Sequence, residues 1–151
     1  MRRSPPLLAA VLALAACGDS TPTVDFAKAC AKEHDGKTIA TTGYLRAPFE
    51  GLCRKATRQG ASITTCSFDL RDKADGEARL SLNIELGTGA NRVDEAKLKA
   101  RQGAAAIAAS DGKFLAEKAH IRVTGVLTAV PNSLKPDETI CWLDVAKIER
   151  R

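Results

Sequence analysis

The chain has 151 residues, of which 44% are hydrophobic and 27% charged, so it can form one domain with a hydrophobic core. This composition excludes collagen-like, coiled-coil and low-complexity proteins. Only 4% of the residues are aromatic, and the formal net charge is +5. Because single-strand binders need aromatic platforms on which bases stack, we expect no nucleic-acid partner.

The first residues have the layout of a secretory signal peptide. Arg2 and Arg3 precede an uncharged apolar run over residues 7–16. A helix that spans a bilayer needs about 18 or more apolar residues, and this run is shorter. The pattern therefore predicts export and no retained transmembrane anchor.

The junction Leu14-Ala15-Ala16-Cys17 resembles the lipobox of bacterial lipoproteins. The resemblance implies cleavage after Ala16 and acylation of Cys17, whose acyl chains would hold the protein to a membrane. Ordinary secretion, with cleavage at the same place and a free Cys17, is the alternative.

The same resemblance divides the chain into a signal peptide at residues 1–16, a lipidated tether at 17–23 and a periplasmic domain at 24–151. Gly18 follows the lipidated cysteine, where an aspartate would retain a Gram-negative lipoprotein in the inner membrane. The resemblance therefore implies a location in the cell envelope, as an outer-membrane lipoprotein that faces the periplasm.

The predicted domain begins with one helix and one strand. Residues 24–34 predict a helix, because Thr23 can cap its start and Asp35-Gly36 ends it. Residues 38–45 are rich in threonine and apolar side chains and therefore predict a strand.

A basic loop is predicted over residues 46–60. It contains Arg46, Arg54, Lys55 and Arg58 but a single acid, Glu50. Because cations on one loop can face the same anionic ligand, these four residues are the candidate ligand-binding site. A loop with ordinary solvated charges is the alternative.

Two further strands are predicted over residues 62–71 and 78–86, joined by an acidic turn that contains Asp75-Gly76. In the second of these strands, leucine and isoleucine alternate with polar residues, which indicates one buried and one exposed face. A solvated turn accounts for the acids between the strands, so no calcium site is expected.

Residues 94–109 predict a helix in which Gly103 is a weak point, and residues 120–129 and 139–148 predict two closing strands. The predicted order is a short N-terminal helix, three strands, a second helix and two strands. This order fits a five-stranded Greek-key barrel of the OB-fold type. The helix lies between the third and fourth strands. Another small α+β domain with the same element order is the alternative.

A repeated segment favours the barrel. Residues 39–45 and 121–127 share isoleucine, threonine, glycine and leucine at matching positions, and Gly43 and Gly125 predict bends within strands. With Gly36-Lys37 and Cys141, these segments resemble the tRNA-anti-like OB-fold domains of small bacterial lipoproteins. The resemblance implies a fold of nucleic-acid-binding ancestry but no particular activity.

Besides Cys17 the chain has four cysteines, which predict disulfides in an exported protein and allow three connectivities. Cys53 and Cys66 flank a predicted turn at Gln59-Gly60, so antiparallel pairing about that turn would place them opposite each other. This pairing is favoured, and it leaves Cys30 to bond with Cys141.

The sequence predicts no catalytic, metal or cofactor site. The two histidines, His34 and His120, lie in no nucleophile motif, and Cys30 with His34 lacks a second pair of zinc ligands. We therefore expect a non-enzymatic, lipid-anchored module that binds an anionic envelope ligand or a protein partner. The alternatives are an envelope enzyme acting on glycan or lipid and a structural component of an outer-membrane assembly.

Overall fold

The computed structural model describes residues 20–47 and 52–151. The predicted signal peptide, Cys17 and the start of the tether lie outside the described residues, as do residues 48–51 of the predicted basic loop. Within the described ranges, no helix is both long enough and apolar enough to cross a membrane.

The described chain is mostly β, with a few short helices. Its strands, in chain order, are β1 Thr38–Arg46, β2 Leu52–Arg58, β3 Ala61–Arg71, β4 Arg79–Glu85, β5 Arg92–Val93, β6 Ile107–Ala108, β7 His120–Pro131 and β8 Thr139–Arg150. The helical segments of the described residues are α1 at Glu95–Lys99 and 3₁₀ turns at Phe26–Lys28, Lys32–His34 and Gly103–Ala106.

Six strands form one mixed sheet in the order β1-β7-β8-β4-β3-β2, in which β4 and β8 run parallel. β1 also pairs with β3 over Tyr44, Leu45 and Arg46. The pairings β1–β3–β4–β8–β7 therefore return to β1, and β2 lies outside this circuit. The barrel-like arrangement is consistent with an OB-like fold.

Alternate residues of the five strands in this circuit fill the interior. Leu80, Leu82 and Ile84 of β4 are at most 1% exposed, as the alternation in the sequence predicted. Phe68 and Leu70 of β3 lie opposite them and are also buried. Burial of one such side chain contributes about 1.5–3 kcal/mol relative to exposure. The intervening residues point to the other side of the sheet, which we call the outer face.

Of the two bends that the repeated segment predicted, the one at Gly125 is a break in strand register, whereas β1 pairs with β7 through Gly43 without interruption. At Gly125 the pairing of β7 with β8 shifts register, which leaves Ala146 without a pairing partner. A Cβ at Gly125 would overlap the carbonyl oxygen of Asp144, and one at Gly43 would lie 2.5 Å from the carbonyl oxygen of Arg71. Both positions require glycine because a neighbouring backbone passes too close for a side chain.

The predicted helix over residues 24–34 is wrong, because the segment forms two separate 3₁₀ turns. Asp25 caps only the first of them. Ala31, between the turns, is extended, with φ −67° and ψ 140°. The extended Ala31 therefore divides the segment, and Cys30, just before it, is bonded to Cys141 of β8.

The predicted helix over residues 94–109 is wrong beyond its first turns. Asp94 caps α1, its Oδ1 accepting a hydrogen bond from the backbone nitrogen of Lys97 at 2.9 Å. Arg101 and Gly103 then each have a φ of 56°, which a right-handed helix cannot contain. The remaining residues form a 3₁₀ turn and β6, and β6 pairs with β5.

Arg122 holds the N-terminal segment on the sheet. Its side chain is 9% exposed, and its guanidinium donates a hydrogen bond to Glu149 Oε2 at 2.7 Å. The same guanidinium lies 3.4 Å from the carbonyl oxygen of Thr21 and from Oγ1 of Thr23. The hydrogen bond from Arg122 holds the pKa of Glu149 below its ordinary value. The tether therefore enters the domain beside this ion pair.

Candidate ligand-binding face

β2 and β3 form a hairpin where the sequence predicted a loop. Its turn is Gln59-Gly60, as predicted, and both residues have positive φ values, 50° and 80°, which are typical of a two-residue hairpin turn. The prediction of a loop over residues 46–60 is wrong, because Leu52–Arg58 is a strand. Most side chains of β2 are exposed on both faces. The segment therefore lacks the alternation of apolar and polar residues from which a strand can be predicted in the sequence.

The disulfides of the structure are the two pairs that the sequence favoured. Cys53 lies opposite Cys66 in the register of β2 and β3, with Cα atoms 4.0 Å apart. Cys30 is bonded to Cys141, and their Cα atoms are 5.7 Å apart. The first bridge fixes the hairpin, and the second ties the N-terminal 3₁₀ turns to β8.

The four predicted cations do not share one surface. Arg54 and Arg58 lie on the outer face of β2, and Arg46 lies on the outer face of β1, in register with Asp69. Lys55 lies on the opposite face of β2. Arg46, Arg54 and Lys55 are exposed, and none of them forms an ion pair with another described residue.

A row of polar contacts crosses the outer face and reaches the hairpin. Ser67 Oγ donates to Asn83 Oδ1 at 3.2 Å, and Asn83 Nδ2 donates to Asp144 Oδ1 at 3.0 Å. The guanidinium of Arg58 lies 3.8 Å from the same carboxylate oxygen. Since Asn83 is only 4% exposed, its amide is fixed by these partners. The row joins β3, β4 and β8 and holds the end of the hairpin over the outer face.

A cleft of about 900 Å³ lies on the outer face of β3 and β4. It is lined by Leu52, Ser67, Asp69, Ser81, Glu117 and the three arginines Arg46, Arg71 and Arg79. Arg71 donates to Asp69 Oδ2 at 3.1 Å and to the carbonyl oxygen of Glu77 at 2.8 Å, so the protein itself uses this guanidinium. Within the described part of the chain, Arg46 and Arg79 form no ion pair within 4 Å, although the pKa of Asp75 is lowered by Lys118 and, to a smaller extent, by the charge of Arg46.

A second cleft, of about 730 Å³, lies between the N-terminal segment and β1. Its charged lining consists of Asp25, Asp72, Lys73 and Arg79, so these charges cancel. His120, also in its wall, stacks on Tyr44 with ring centroids 4.8 Å apart. In residues 20–47 and 52–151, no three side chains of the metal-ligating types are grouped to hold an ion, and Cys30 is bonded to Cys141 and not available to His34.

Apolar side chains are exposed on the outer face of β7 and β8. Val126, Val130 and Ile140 are 43%, 37% and 47% exposed, and Leu134 in the connecting turn is 90% exposed. Trp142 lies on the same face, opposite Thr128 in the register. We call these residues the β7–β8 patch, and such a patch is a surface on which a protein partner can lie.

Three polar residues of the outer face were not predicted as site residues: Arg79, Asn83 and Asp144. Arg79 and Asn83 occupy the polar positions that alternate with the leucines of β4, so a signal for them was present in the sequence. Asp144 becomes their neighbour only through the parallel pairing of β4 with β8, which places it beside Asn83. No local pattern in the sequence reveals that pairing.

No protein-family model matches the chain, and no curated protein sequence is similar to it at a significant level. Among solved structures, the chain is similar to one described as an aspartyl-tRNA synthetase from Leishmania major, with 14% sequence identity and a TM-score of 0.47. The similarity covers 94% of this chain but only 23% of that protein. It indicates nothing about what this chain binds.

Proposed function

We propose that this protein is a non-enzymatic lipoprotein of the cell envelope whose OB-like domain binds an anionic ligand or protein partner. In this proposal Cys17 carries the lipid anchor and the domain faces the periplasm from the outer membrane. The lipobox-like junction at Leu14-Ala15-Ala16-Cys17 supports the anchor. The two disulfides support an oxidising compartment.

The anchor is tested by changing one atom of Cys17. We expect Cys17→Ser to abolish acylation and to block normal maturation, because the acyl chain is attached to the thiol. Metabolic labelling with a fatty-acid probe measures this directly. If the variant is labelled as strongly as the parent, the protein is not a lipoprotein of this type.

The proposal also assigns the circuit β1–β3–β4–β8–β7 to the five strands of a Greek-key OB barrel. α1 then takes the place of the helix between the third and fourth barrel strands, and β2 is an insertion between the first and second. OB-folds bind ligands on the face of strands two and three, between the loops that follow strands one and four. In this chain, that region corresponds to the outer face of β3 and β4 together with the β2–β3 hairpin.

The observation that carries the proposal is the excess of positive charge on β2. β2 contains Arg54, Lys55 and Arg58 and no acid. Arg46 and Arg79 line the adjacent cleft on the outer face. Arg58 lies near Asp144, but Arg54 and Lys55 form no ion pair with another described residue, and such exposed cations attract an anionic partner over a distance. Added salt weakens this attraction.

Charge reversal on the outer face of β2 tests the proposal. We expect Arg54→Glu with Arg58→Glu to reduce capture of the envelope partner about tenfold at 0.1 M salt, where the screening length is about 10 Å. The difference from the parent should shrink at 1 M salt, where the screening length is about 3 Å. The thermal midpoint should fall by only a few degrees, because the Arg58–Asp144 pair that the variant reverses is partly exposed and such pairs contribute about 0.2–1 kcal/mol. Pull-down after crosslinking in the native envelope measures the capture.

The matched control is Lys28→Glu with Lys32→Glu, which makes the same change of net charge on the exposed N-terminal 3₁₀ turns. This control variant should capture the partner as the parent does. Equal capture by the parent and the hairpin variant at low salt would show that the basic hairpin carries only ordinary solvated charge.

The β7–β8 patch favours a second candidate function, that of a structural component in an outer-membrane assembly. Exposed Val130 and Ile140 would then be buried against another subunit. Under this alternative, Val130→Ser with Ile140→Ser would release the protein from the assembly, and the hairpin variant would remain bound. The same crosslinking experiment with both variants separates the two functions.

A further inference from the structure

β2 has one edge that no described strand covers. It pairs with β3 on one side, and it is the last strand in the order of the sheet. An uncovered edge presents unpaired backbone N–H and C=O groups that can accept another strand. The chemistry of this edge therefore indicates what kind of segment can pair with it.

The register identifies the backbone groups on the open edge. The Cα atoms of Cys53 and Cys66 are 4.0 Å apart, which is the spacing of an antiparallel pair that exchanges no hydrogen bonds with each other. The two-residue turn at Gln59-Gly60 gives the same pattern, since the pair that closes such a turn is hydrogen-bonded and the pairs alternate from there. The N–H and C=O groups of Cys53, Lys55 and Thr57 therefore point away from β3, towards the open edge.

We propose that this edge accepts an extended, acidic peptide segment of a protein partner as an additional strand. The inference rests on the proposed function and specifies its partner: a polypeptide that pairs through its backbone and carries carboxylates on its side chains. Backbone hydrogen bonds supply the attachment in this mode of recognition, and the side chains on each face supply the selectivity.

The side chains of β2 select acidic residues on both faces of such a strand. Arg54 and Arg58 lie on the outer face with one residue of the same face between them, and Lys55 lies on the other face. Carboxylates of a docked segment would meet the two arginines from one face and the lysine from the other. The same cations oppose pairing with β2 of a second copy, because like charges would then lie side by side.

The edge is held rigidly before any partner arrives. The Cys53–Cys66 bridge fixes one end of the hairpin, and Arg58 approaches Asp144 at 3.8 Å near the other end. Since the register of β2 on β3 extends from Leu52 to Arg58 without interruption, the three outward-facing residues are already aligned as a strand. A partner therefore has to order only its own backbone on binding.

The first arm of the test compares two peptides on the full chain, with its disulfides intact, at 0.1 M salt. One is a fluorescein-labelled, amidated heptapeptide, Thr-Val-Glu-Glu-Glu-Val-Thr, whose consecutive glutamates project to both faces of an extended strand. The other has the same sequence with every internal amide N-methylated, so it keeps the charge but cannot donate backbone hydrogen bonds. We expect binding of the N-methylated peptide to be at least about tenfold weaker, as measured by fluorescence anisotropy.

The second arm changes the protein. Thr57→Pro removes one outward N–H group but no hydrogen bond to β3, and proline is tolerated at such edge positions. We expect Thr57→Pro to weaken binding of the unmodified peptide about fivefold, and the isosteric Thr57→Val to leave it unchanged. Unchanged circular dichroism and an intact Cys53–Cys66 bridge establish that the hairpin is retained in both variants.

Equal binding of the two peptides to the parent would overturn the inference while leaving the proposed function standing, because charge alone would then be recognised. No binding of the unmodified peptide would also overturn it, and the capture experiment with Arg54→Glu and Arg58→Glu would decide the proposed function separately. Binding that requires free peptide amides and an outward N–H at Thr57 supports strand addition.

Discussion

Replacing Cys30 and Cys141 together by alanine is expected to lower the free energy of unfolding by roughly 4–5 kcal/mol. The two residues are 111 positions apart, so their bridge closes a loop that includes most of the domain. A cross-link over about 100 residues restricts the unfolded chain by about 4.7 kcal/mol in the chain-entropy account. Because small domains are stable by only about 5–15 kcal/mol, this loss leaves the protein marginal.

The structure also indicates which segment opens first when this bridge is removed. Ala29, beside Cys30, is fully buried, but the two 3₁₀ turns around it have no buried residues of their own. Phe26 and Ala29 pack against the core, and the bridge adds a covalent attachment of these turns to β8. Downstream, Asp35 Oδ1 accepts a hydrogen bond from the backbone nitrogen of Ala129 at 2.9 Å, so the chain stays attached from there. We expect residues 26–34 to lose hydrogen-exchange protection before β3 and β4 do.

Urea unfolding of the oxidised protein measures this prediction, and the second bridge supplies the control. Cys53 and Cys66 are 13 positions apart, and a loop of about 15 residues contributes about 3 kcal/mol in the same account. The double alanine variant at Cys30 and Cys141 should therefore lose more stability than the one at Cys53 and Cys66, by about 1.5–2 kcal/mol. An equal or reversed order would show that the long bridge does not act through the unfolded chain.

Gly125→Ala is expected to destabilise the domain by about 3 kcal/mol or more, at the upper end of what overpacking costs. The added Cβ would overlap the carbonyl oxygen of Asp144 and lie 3.0 Å from the Cα of Val145, both of which are backbone atoms of β8. Backbone atoms in a paired strand cannot rotate aside as the end of a side chain can. The bulge between β7 and β8 must therefore open to admit the methyl group.

Gly87→Ala is the matched control, since a Cβ there would meet only side-chain atoms of Arg92, the nearest at 3.6 Å. This variant should keep its thermal midpoint within a few degrees of the parent, and Gly125→Ala should not. Thermal unfolding of the two variants followed by circular dichroism decides between them. A stable Gly125→Ala protein would mean that β7 and β8 do not approach as closely as described.

The strands were predictable where one face is buried. In β4 the leucines alternate with polar residues, and this pattern predicted both the strand and its buried face. The glycines of the repeated segment were informative for a different reason, because a glycine inside a strand marks a place where another backbone approaches. Gly125 lies at the bulge of β7 on β8, as such a position should.

The parts that were not predictable depend on long-range contacts. β2 is stabilised by pairing with β3 and by a disulfide and has no buried face, so it left no periodic signal. The segment around Cys30 has residues that suit a helix, but its position is set by the bond to Cys141. In the same way, residues 94–109 have a helical composition, yet positive φ values at Arg101 and Gly103 end the helix early.

The candidate site was predictable in composition but not in arrangement. The run of cations without acids identified Arg54, Lys55 and Arg58, and the structure keeps them on one hairpin. It separates Lys55 from the two arginines because successive residues of a strand point to opposite faces. It also places Asp144 beside Arg58, a contact between residues 86 positions apart that depends on the order of strands in the sheet.

Amide chemical-shift mapping on the full, nitrogen-15-labelled chain tests most directly whether the basic hairpin is an anion-binding surface. Hexaglutamate is the probe, and hexaglutamine of the same length is the neutral control. At 0.1 M salt we predict the largest shift changes within Leu52–Arg58 and at Arg46, with smaller changes at 1 M salt and none with hexaglutamine. Changes centred on Lys28 and Lys32, or spread evenly over all exposed cations, would contradict the assignment of the hairpin as the binding surface.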